Sequence, residues 1–320
     1  VQNDPDTSEL HFALGNLFRR RGEYERAVRV HEHLLSRGDL SRTDRERAQH
    51  ALALDFLKAG LLDRAEQALQ RLENTPFEAE ARMALLAIYE RSSDWPQAAA
   101  IADKMDRAAQ GDFSIRQAHY LCEQAAAQVA AGQTDEACLL LEKAITTAPA
   151  AARARIELAA LQQTAGDQAA AFQTLRQIAD AAPAAMPLAA ARLAQTATAS
   201  GQVDTALALL DHSYDNAPSL DVLEAMVTLQ EGSQGVQARE AYVRHLEREP
   251  SLVAAAKWLA GERLEHEQFH PQVQRALDHA VKPLTRYRCA ACGFEAKQHF
   301  WQCPGCQTWD SYPARRVEEL

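Results

Sequence analysis

The stretch Leu14-Gly-Asn-Leu-Phe-Arg-Arg-Arg-Gly-Glu-Tyr-Glu-Arg-Ala27 decides the fold of this chain, because its pattern returns along most of the sequence. A helical segment ends near a Leu-Gly or Leu-Ala pair, a glycine follows at a turn, and an alanine comes five residues after that glycine. Five further copies show this pairing: Gly60 with Ala65, Ser93 in place of glycine with Ala98, Gly132 with Ala137, Gly166 with Ala171, and Gly201 with Ala206. The turn positions are 38, 33, 39, 34 and 35 residues apart, which indicates a repeat array.

A period near 34 residues predicts two helices in each unit. Glycine allows the turn between them, and the small alanine lets the paired helices approach closely. Apolar residues fall at helical spacing, as in Leu52, Phe56 and Leu57, and no strand pattern occurs before the cysteines near the end. A proline stands twelve residues after the alanine position in four copies, at Pro149, Pro183, Pro218 and Pro250. The sequence therefore predicts an all-α, helix-turn-helix solenoid.

These positions resemble the tetratricopeptide repeat in six copies, with a weaker seventh copy around Met226 to Pro250. The large aromatic residue near the start of the first helix is generally missing. The two longest spacings predict lengthened turns near Arg37–Arg42 and Gln110–Ser114. The segments Leu252–Gln268 and Pro271–Val281 predict a final helix pair that caps the stack.

A second pattern consists of two CxxC pairs separated by ten residues. Two cysteines two residues apart let a tight turn aim both sulfurs at one point, so two pairs supply the four thiolates of a tetrahedral metal site. Six aromatic residues between Tyr287 and Tyr312 form a miniature core, and so short a segment depends on metal for its stability. We predict one metal ion per chain, held by Cys289, Cys292, Cys303 and Cys306. Zinc is preferred over iron because four thiolates close its shell, although iron fits the same ligands.

The predicted domains are a repeat array over residues 1–250 with about seven copies, some degenerate, a capping helix pair over 251–282, and a rubredoxin-type metal module over 283–320.

Alternatives to metal binding by the four cysteines fit less well. Two disulfides would suit a secreted mini-protein, but we expect an intracellular chain without a signal peptide. A thioredoxin-type redox pair needs a βαβ setting and a single CxxC. His299 could replace one cysteine ligand, and Cys122 and Cys138 are interpreted as packing thiols.

Composition disfavours several function classes. The chain has 320 residues, of which 47% are hydrophobic, and no apolar run is long enough to span a bilayer. Its net charge of −10 is the wrong sign for a protein whose main partner is nucleic acid. No nucleophile with a base, carboxylate pair in a pocket or phosphate-binding glycine loop occurs, so we expect no enzyme. The segment Gly232-Ser-Gln-Gly235 is interpreted as a polar turn.

A repeat array of this kind lines a concave groove with its first helices, which indicates peptide or protein binding. The cluster Arg19-Arg20-Arg21 could receive an acidic partner, although basic residues at a helix end also favour the helix dipole. His119 and Cys122 lie three residues apart and could hold a metal, but packing is the preferred interpretation. The repeat register predicts these groove-facing residues: Phe12, Asn16, Arg19, His50, Leu54, Met83, His119 and Cys122.

Three stretches of the sequence show a resemblance that is more specific than the general repeat pattern. They are Leu14-Gly-Asn-Leu-Phe-Arg with Arg21-Gly-Glu and Arg26-Ala, Ala59-Gly-Leu with Asp63-Arg-Ala-Glu66, and Tyr287-Arg-Cys with Cys292-Gly-Phe, Trp301-Gln-Cys-Pro-Gly-Cys306 and Trp309. Repeats followed by such knuckles look like the lipopolysaccharide assembly protein B family. The resemblance covers essentially the whole chain, and the tail motif is its most specific part.

This resemblance implies a bacterial inner-membrane protein with one N-terminal spanning helix and a cytoplasmic repeat domain. The present chain begins at Val1 and would be the cytoplasmic portion. Such proteins restrain lipopolysaccharide synthesis by promoting degradation of the deacetylase that commits lipid A synthesis (LpxC) through the membrane-bound AAA protease FtsH. The implied role is a non-enzymatic adaptor with these two partners, and with other inner-membrane lipopolysaccharide regulators as further candidates. The rubredoxin-type module is implied to dock on the repeats and to be required for activity.

We expect the metal module to fold back on the array and to complete a surface for the protease or its substrate. Two rivals stay open on the residues alone. An iron-loaded rubredoxin-like centre could pass single electrons, with the repeats as a docking arm. The knuckles could also form a nucleic-acid ribbon, for which Lys282, Arg286, Arg288 and Lys297 supply charge and which Glu295, Asp310, Glu318 and Glu319 oppose.

Overall fold

The computed structural model describes residues 5–230, 236–260 and 270–320, and its contacts divide the chain into two units, Val1–Phe113 and Ser114–Leu320. The predicted all-α repeat fold is confirmed. Among the residues described, no helix is both long and apolar enough to cross a membrane.

The first unit contains three successive helix pairs. Their helices are α1 (Pro5–Arg20), α2 (Tyr24–Ser36), α3 (Arg42–Ala59), α4 (Leu62–Gln70), α5 (Glu78–Ser92) and α6 (Trp95–Arg107). The second unit continues with helix pairs: α7 (Ser114–Ala130), α8 (Thr134–Thr147), α9 (Ala152–Thr164), α10 (Gln168–Arg176), the one-turn α11 (Ile178–Ala181), α12 (Met186–Ser200), α13 (Val203–Asn216), α14 (Leu220–Gln230), α15 (Val236–Arg248), α16 (Leu252–Ala260) and α17 (His270–Val281).

Within the described residues, the β-sheet is a single pair of short strands near the C-terminus. Strands β1 (Tyr287–Arg288) and β2 (Glu295–Ala296) pair antiparallel, with Tyr287 opposite Ala296. A short 3-10 helix spans Val317–Glu319. The predicted helix Leu252–Gln268 is seen as far as Ala260, since residues 261–269 lie outside the described ranges, as does the predicted polar turn Gly232–Gly235.

The repeat signature has a direct physical basis in both units. The turn glycines lie in the left-handed region, as at Gly60 with φ of 74°, and Ser93 adopts the same conformation with φ of 58°. In both cases the turn residue's amide bonds back to carbonyls of the preceding helix. The alanine of each copy is fully buried where the two helices of a pair meet: Ala27, Ala65, Ala98, Ala137, Ala171 and Ala206.

A buried polar network lies inside the first unit. His31 is fully buried and its Nδ1 lies 2.5 Å from Asp55 Oδ2, while Arg19 donates to Asp55 Oδ1 at 2.8 Å. The ring of His31 packs directly on Gly15, where a Cβ atom would lie 2.5 Å from it. The glycine of the Leu-Gly pair therefore makes room for a histidine from the facing helix.

The second unit has an apolar core that runs from Ala152 in α9 to Ala254 in α16. Leu284 and Trp301, which lie beyond the last helix, pack against this core. The C-terminal segment is thus part of the second unit's packing, and its position is fixed relative to the helices of that unit.

Candidate metal centre

The first cysteine pair is held by the hairpin of β1 and β2. Cys289 donates its amide to the Phe294 carbonyl at 2.9 Å, and the amide of Gly293 returns to the Cys289 carbonyl at 2.9 Å. Gly293 has φ of 77°, a conformation that glycine adopts without strain. This tight turn brings the sulfurs of Cys289 and Cys292 to the same side.

The second cysteine pair repeats this geometry without a glycine at the equivalent position. The amide of Cys303 donates to Thr308 at 3.0 Å, and that of Gln307 donates to Cys303 at 2.8 Å. Gln307 carries the positive φ, 60°, that Gly293 carries in the first turn. An antiparallel bridge between Gln302 and Trp309 closes this second turn.

The four sulfurs converge on one point. All four Sγ atoms lie within 4.8 Å of one another, with 3.8 Å between Cys289 and Cys306 and 3.7 Å between Cys292 and Cys303. Zinc–sulfur bonds of about 2.3 Å in a tetrahedron place sulfurs about 3.8 Å apart, whereas a disulfide would need about 2.05 Å. The donor set therefore fits a tetrahedral thiolate-bound ion, and all four cysteines are free.

The environment favours a thiolate at Cys289 and opposes one at Cys292, where a hydrogen bond with the Phe294 backbone lowers the pKa but hydrogen bonds with the other cysteines raise it to about 12. Burial opposes ionisation of Cys289, but hydrogen bonds with Ser311 and with the amides of Cys292 and Ala291 lower the pKa of its thiol to about 6. Cys289 and Cys303 are buried, while Cys292 and Cys306 are exposed. One side of the site is therefore buried, in a cluster against which Leu188 of α12 packs, and the other side faces solvent.

The surrounding aromatics form the small core that the composition indicates. Tyr312 is buried, and its hydroxyl donates to the Phe294 carbonyl at 3.1 Å. His299 lies in this core with Nε2 3.0 Å from the Tyr312 carbonyl, and its ring meets Trp301 edge-on at 4.7 Å. His299 is therefore occupied by the aromatic core, and the sulfur cluster does not include it.

Aromatic stacking holds the module, residues 287–320, to the first repeat of the second unit. The His119 ring on α7 stacks on Trp309 with centroids 4.7 Å apart and planes 17° from parallel. Its Nε2 lies 2.9 Å from an Asp310 carboxylate oxygen, and Tyr120 meets Trp309 edge-on. Leu188 of α12 packs against the aromatic and cysteine cluster of the module. The module thus rests on the first helices of two repeats.

Charged residues at the C-terminal end of the module fix it to the first helices of two further repeats, α14 and α16. Arg316 makes a two-pronged ion pair with Asp221 of α14, at 2.8 and 2.9 Å. Glu319 accepts from the amide of Leu220 at 2.6 Å, at the start of α14. Glu318 accepts from Ser251 Oγ at 2.9 Å and from amides in the first turn of α16. Both glutamates lie at helix N-termini, where backbone amides and the helix dipole favour negative charge.

The predicted groove residues of the first unit have varied positions. Phe12 is only 1% exposed and packs with Leu34 in the core, so it offers no surface to a partner. Arg19 is bonded to Asp55 and to Asn16, which removes it from the basic cluster proposed for an acidic partner. The remaining three differ in exposure: His50 stacks on Phe77 at 4.6 Å, Leu54 is half-buried, and Met83 is 47% exposed.

In the second unit, the two predicted residues on α7 are both buried. His119 contacts the metal module, whereas Cys122 lies beside the ion pairs of Arg153, and burial raises the pKa of its thiol. The described residues contain no group of three or more metal-ligating side chains that includes either of them. His119 is therefore covered by the chain's own module and is not open to a partner in this arrangement.

Sequence reasoning missed the residues that dock the module. On the sequence alone, Asp310, Glu318 and Glu319 indicate only negative charge that opposes nucleic-acid binding. Arg316 and Asp221 are 95 residues apart, and His119 and Asp310 are 191 residues apart, so no local spacing could indicate these pairs. An acidic residue in the first turn of a helix, such as Asp221, is a common favourable feature and carries no signal of a distant arginine.

Comparisons with known proteins agree with this geometry. Residues 287–312 match the family described as rubredoxin metal binding domain, and residues 10–46 match the tetratricopeptide repeat family. The chain resembles lipopolysaccharide assembly protein B of Escherichia coli K12, with 28% identity over 328 residues that cover 100% of this chain and 84% of that protein. It is 27% identical to the protein of that name from Haemophilus influenzae Rd, covering 95% of this chain and 78% of the relative.

Solved structures show more distant likeness. The structure of Naa15/Naa10 bound to HypK-THB aligns with a TM-score of 0.46 and 15% identity, covering 85% of this chain and 41% of that one. A tetratricopeptide repeat protein from Parabacteroides merdae aligns with a TM-score of 0.30 and 17% identity, covering 72% of this chain and 86% of that one.

Proposed function

We propose that this chain is a non-enzymatic adaptor in lipopolysaccharide assembly. The observation that carries the proposal is the resemblance to lipopolysaccharide assembly protein B over the whole chain, which includes both the repeats and the cysteine module. Tetratricopeptide repeats bind peptide and protein segments, which suits an adaptor.

The finer proposal concerns the partners. We infer that the chain brings the lipid A deacetylase to the protease FtsH at the cytoplasmic face of the bacterial inner membrane. The supporting observation is that the module covers part of the surface formed by the first helices of the repeats in the second unit, around His119 and Asp221. The module's own exposed residues thereby become part of that surface. A partner would then recognise a surface composed of both repeats and module.

The metal has a structural role in this proposal, and zinc is the preferred ion. The four thiolates fill a tetrahedral shell and leave no open position for a substrate. The aromatic residues of the module and the glutamates near its C-terminus then hold the module against α7, α12, α14 and α16. Elemental analysis of protein purified without added metal should give one zinc per chain and a colourless solution. One iron per chain with a spectrum bleached by dithionite would contradict a purely structural zinc site.

The partner proposal is tested by capture from detergent-solubilised bacterial membranes and cytosol. The immobilised chain should retain both FtsH and the deacetylase, detected with specific antibodies. A Trp309→Ala variant, which weakens module docking, should retain less of at least one of them. The matched control is Leu139→Ala, which truncates a 59% exposed side chain on α8. If neither named protein is retained by the unaltered chain, the partner proposal fails.

A further inference from the structure

A cleft of about 550 Å³ lies between the repeats and the metal module of the second unit. Its walls come from α14, from α16, from the segment that joins α17 to the module, and from the module itself. Volumes of this size are typical of small-molecule sites. Five of the residues that line it are cationic: Lys257, Lys282, Arg286, Lys297 and Arg316.

The two carboxylates of the cleft are already paired. Asp221 accepts from Nε and Nη2 of Arg316, and Glu224 makes an ion pair with Lys257. Neither carboxylate is therefore left to neutralise the remaining cations. With two negative and five positive side chains, the lining carries a net charge of +3 in a chain whose net charge is −10.

Three cations of the cleft are left with weak or no compensation. Lys282 and Lys297 are exposed, and no carboxylate in the described part of the chain lies within ion-pair distance of either ammonium group. Arg286 is 3.7 Å from Glu295, but Arg288 binds that carboxylate more closely, at 2.7 Å. Like charges gathered around one concave space repel each other, and a bound anion relieves that repulsion.

We propose that this cleft binds a compact group with two or more negative charges, the phosphate or diphosphate of a soluble metabolite or of a lipid headgroup. Lysine ammonium groups act on phosphate oxygens as point charges, and arginine adds a planar fork of donors. A single carboxylate would leave most of the local positive charge unbalanced. Phosphate is therefore the chemistry that best matches two unpaired lysines and one weakly paired arginine in so small a volume.

The position of the cleft gives the ligand a regulatory role. Lys282 and Arg286 lie on the joining segment, Lys297 lies on the module, and the opposite wall belongs to α14 and α16. A ligand that contacts both walls binds only the docked arrangement, and so stabilises docking by linkage. This inference goes beyond the adaptor role and does not depend on it.

The test is calorimetric titration of the metal-loaded full chain with inorganic pyrophosphate at low salt, in buffer without divalent cations. The variant Lys282→Gln/Lys297→Gln removes two exposed cations that make no ion pair, so the fold should be kept. The control Lys58→Gln/Lys143→Gln removes the same charge from exposed lysines on α3 and α8. We expect saturable binding to the unaltered chain and the control, and binding at least about tenfold weaker in the cleft variant.

A second arm distinguishes the two sources of phosphate. Co-sedimentation with phosphatidylcholine vesicles that contain phosphatidic acid should pull down the chain only if a lipid headgroup can enter the cleft. Binding of pyrophosphate without vesicle binding assigns the site to a soluble ligand, and vesicle binding that the cleft variant loses assigns it to a headgroup. Equal binding by the cleft variant and the control, or no saturable binding of either probe, would overturn the proposal.

Discussion

The ring of His119 in the first repeat of the second unit lies parallel to Trp309 of the metal module, with centroids 4.7 Å apart. Trp309 is 8% exposed, and Tyr120 meets it edge-on, so one indole fills the space between two helix residues. Stacked and edge-on rings add about 0.5–1.5 kcal/mol to the free energy gained from burial.

Trp309→Ala should therefore destabilise the docked module. Truncation of a buried tryptophan costs about 3–5 kcal/mol, and most of this loss should appear as undocking, because the repeats keep their own core. Limited proteolysis should cut the variant within the joining segment 282–286 much faster than the unaltered chain. Leu139→Ala should leave that rate unchanged, and equal cleavage of all three proteins would contradict the docking role of Trp309.

Glu318 and Glu319 should each stabilise the start of a helix. Both carboxylates accept from backbone amides, Glu319 at Leu220 and Glu318 at Val253. Replacement of one glutamate by alanine should cost about 1 kcal/mol and should speed amide hydrogen exchange in the first turn of the corresponding helix. The control is Glu142→Ala, an exposed residue within α8. If exchange at α14 and α16 is unaffected, the tail does not cap these helices.

Much of the fold follows from the sequence because its signals are local. A glycine followed five residues later by an alanine reports a turn with positive φ and a close helix contact, and both are observed at Gly60 and Ala65. The CxxC pairs likewise report tight turns that aim sulfurs together. Each of these patterns is read from residues that are near one another in the chain.

The docking residues could not be predicted in the same way. Arg316 and Asp221 meet only because the whole second unit brings the chain end back to α14. Phe12 shows another limit, since a repeat register predicts which face a residue occupies but not how deep its side chain lies. Its ring packs with Leu34, Leu40 and Ala48, because neighbouring helices meet over that position.

Loss of the metal should unfold the module and leave the repeats helical. Replacement of all four cysteines by serine removes the ligands, and binding in comparable zinc peptides is worth about 10–16 kcal/mol. Far-ultraviolet circular dichroism should change little, whereas the emission of Trp301 and Trp309 should shift toward that of solvated indole. Cys138→Ser, a free cysteine on α8 outside the site, should change neither signal. A module that keeps its fluorescence without cysteines would contradict metal-dependent folding.

Acid should weaken the packing of α15 against α13 through His245. This side chain is 3% exposed and lies 2.6 Å from the Tyr214 hydroxyl, and burial lowers its pKa, although Glu249 and Glu318 act in the opposite direction. The folded pKa lies below the unfolded value of about 6.5, so the unfolded state binds the proton more readily. The stabilisation is present above about pH 6.5 and is lost as the pH falls through the folded pKa.

The corresponding measurement is the melting temperature across this pH range. His245→Gln should show a shallower fall on acidification than the unaltered chain, even if it is less stable at neutral pH. His212→Gln, which changes an exposed histidine on α13, should keep the original slope. If His245→Gln and the unaltered chain show the same slope, another group causes the acid sensitivity.

Gly15→Ala should destabilise the first unit by steric overlap with His31. An added Cβ would lie 2.5 Å from two atoms of the His31 ring, and that ring is fixed by its contact with Asp55 and by complete burial. Since the ring cannot move without breaking the network with Arg19, the helices α1 and α2 must separate, at a cost of about 1–3 kcal/mol. Chemical denaturation should show this loss in the free energy of unfolding.

Gly38→Ala is the matched control, because its added Cβ would meet no atom within 4 Å, and it should be neutral or slightly stabilising. Equal stability of the two variants would mean that the histidine yields to the methyl group, and that the contact of Gly15 with His31 does not constrain the first helix pair.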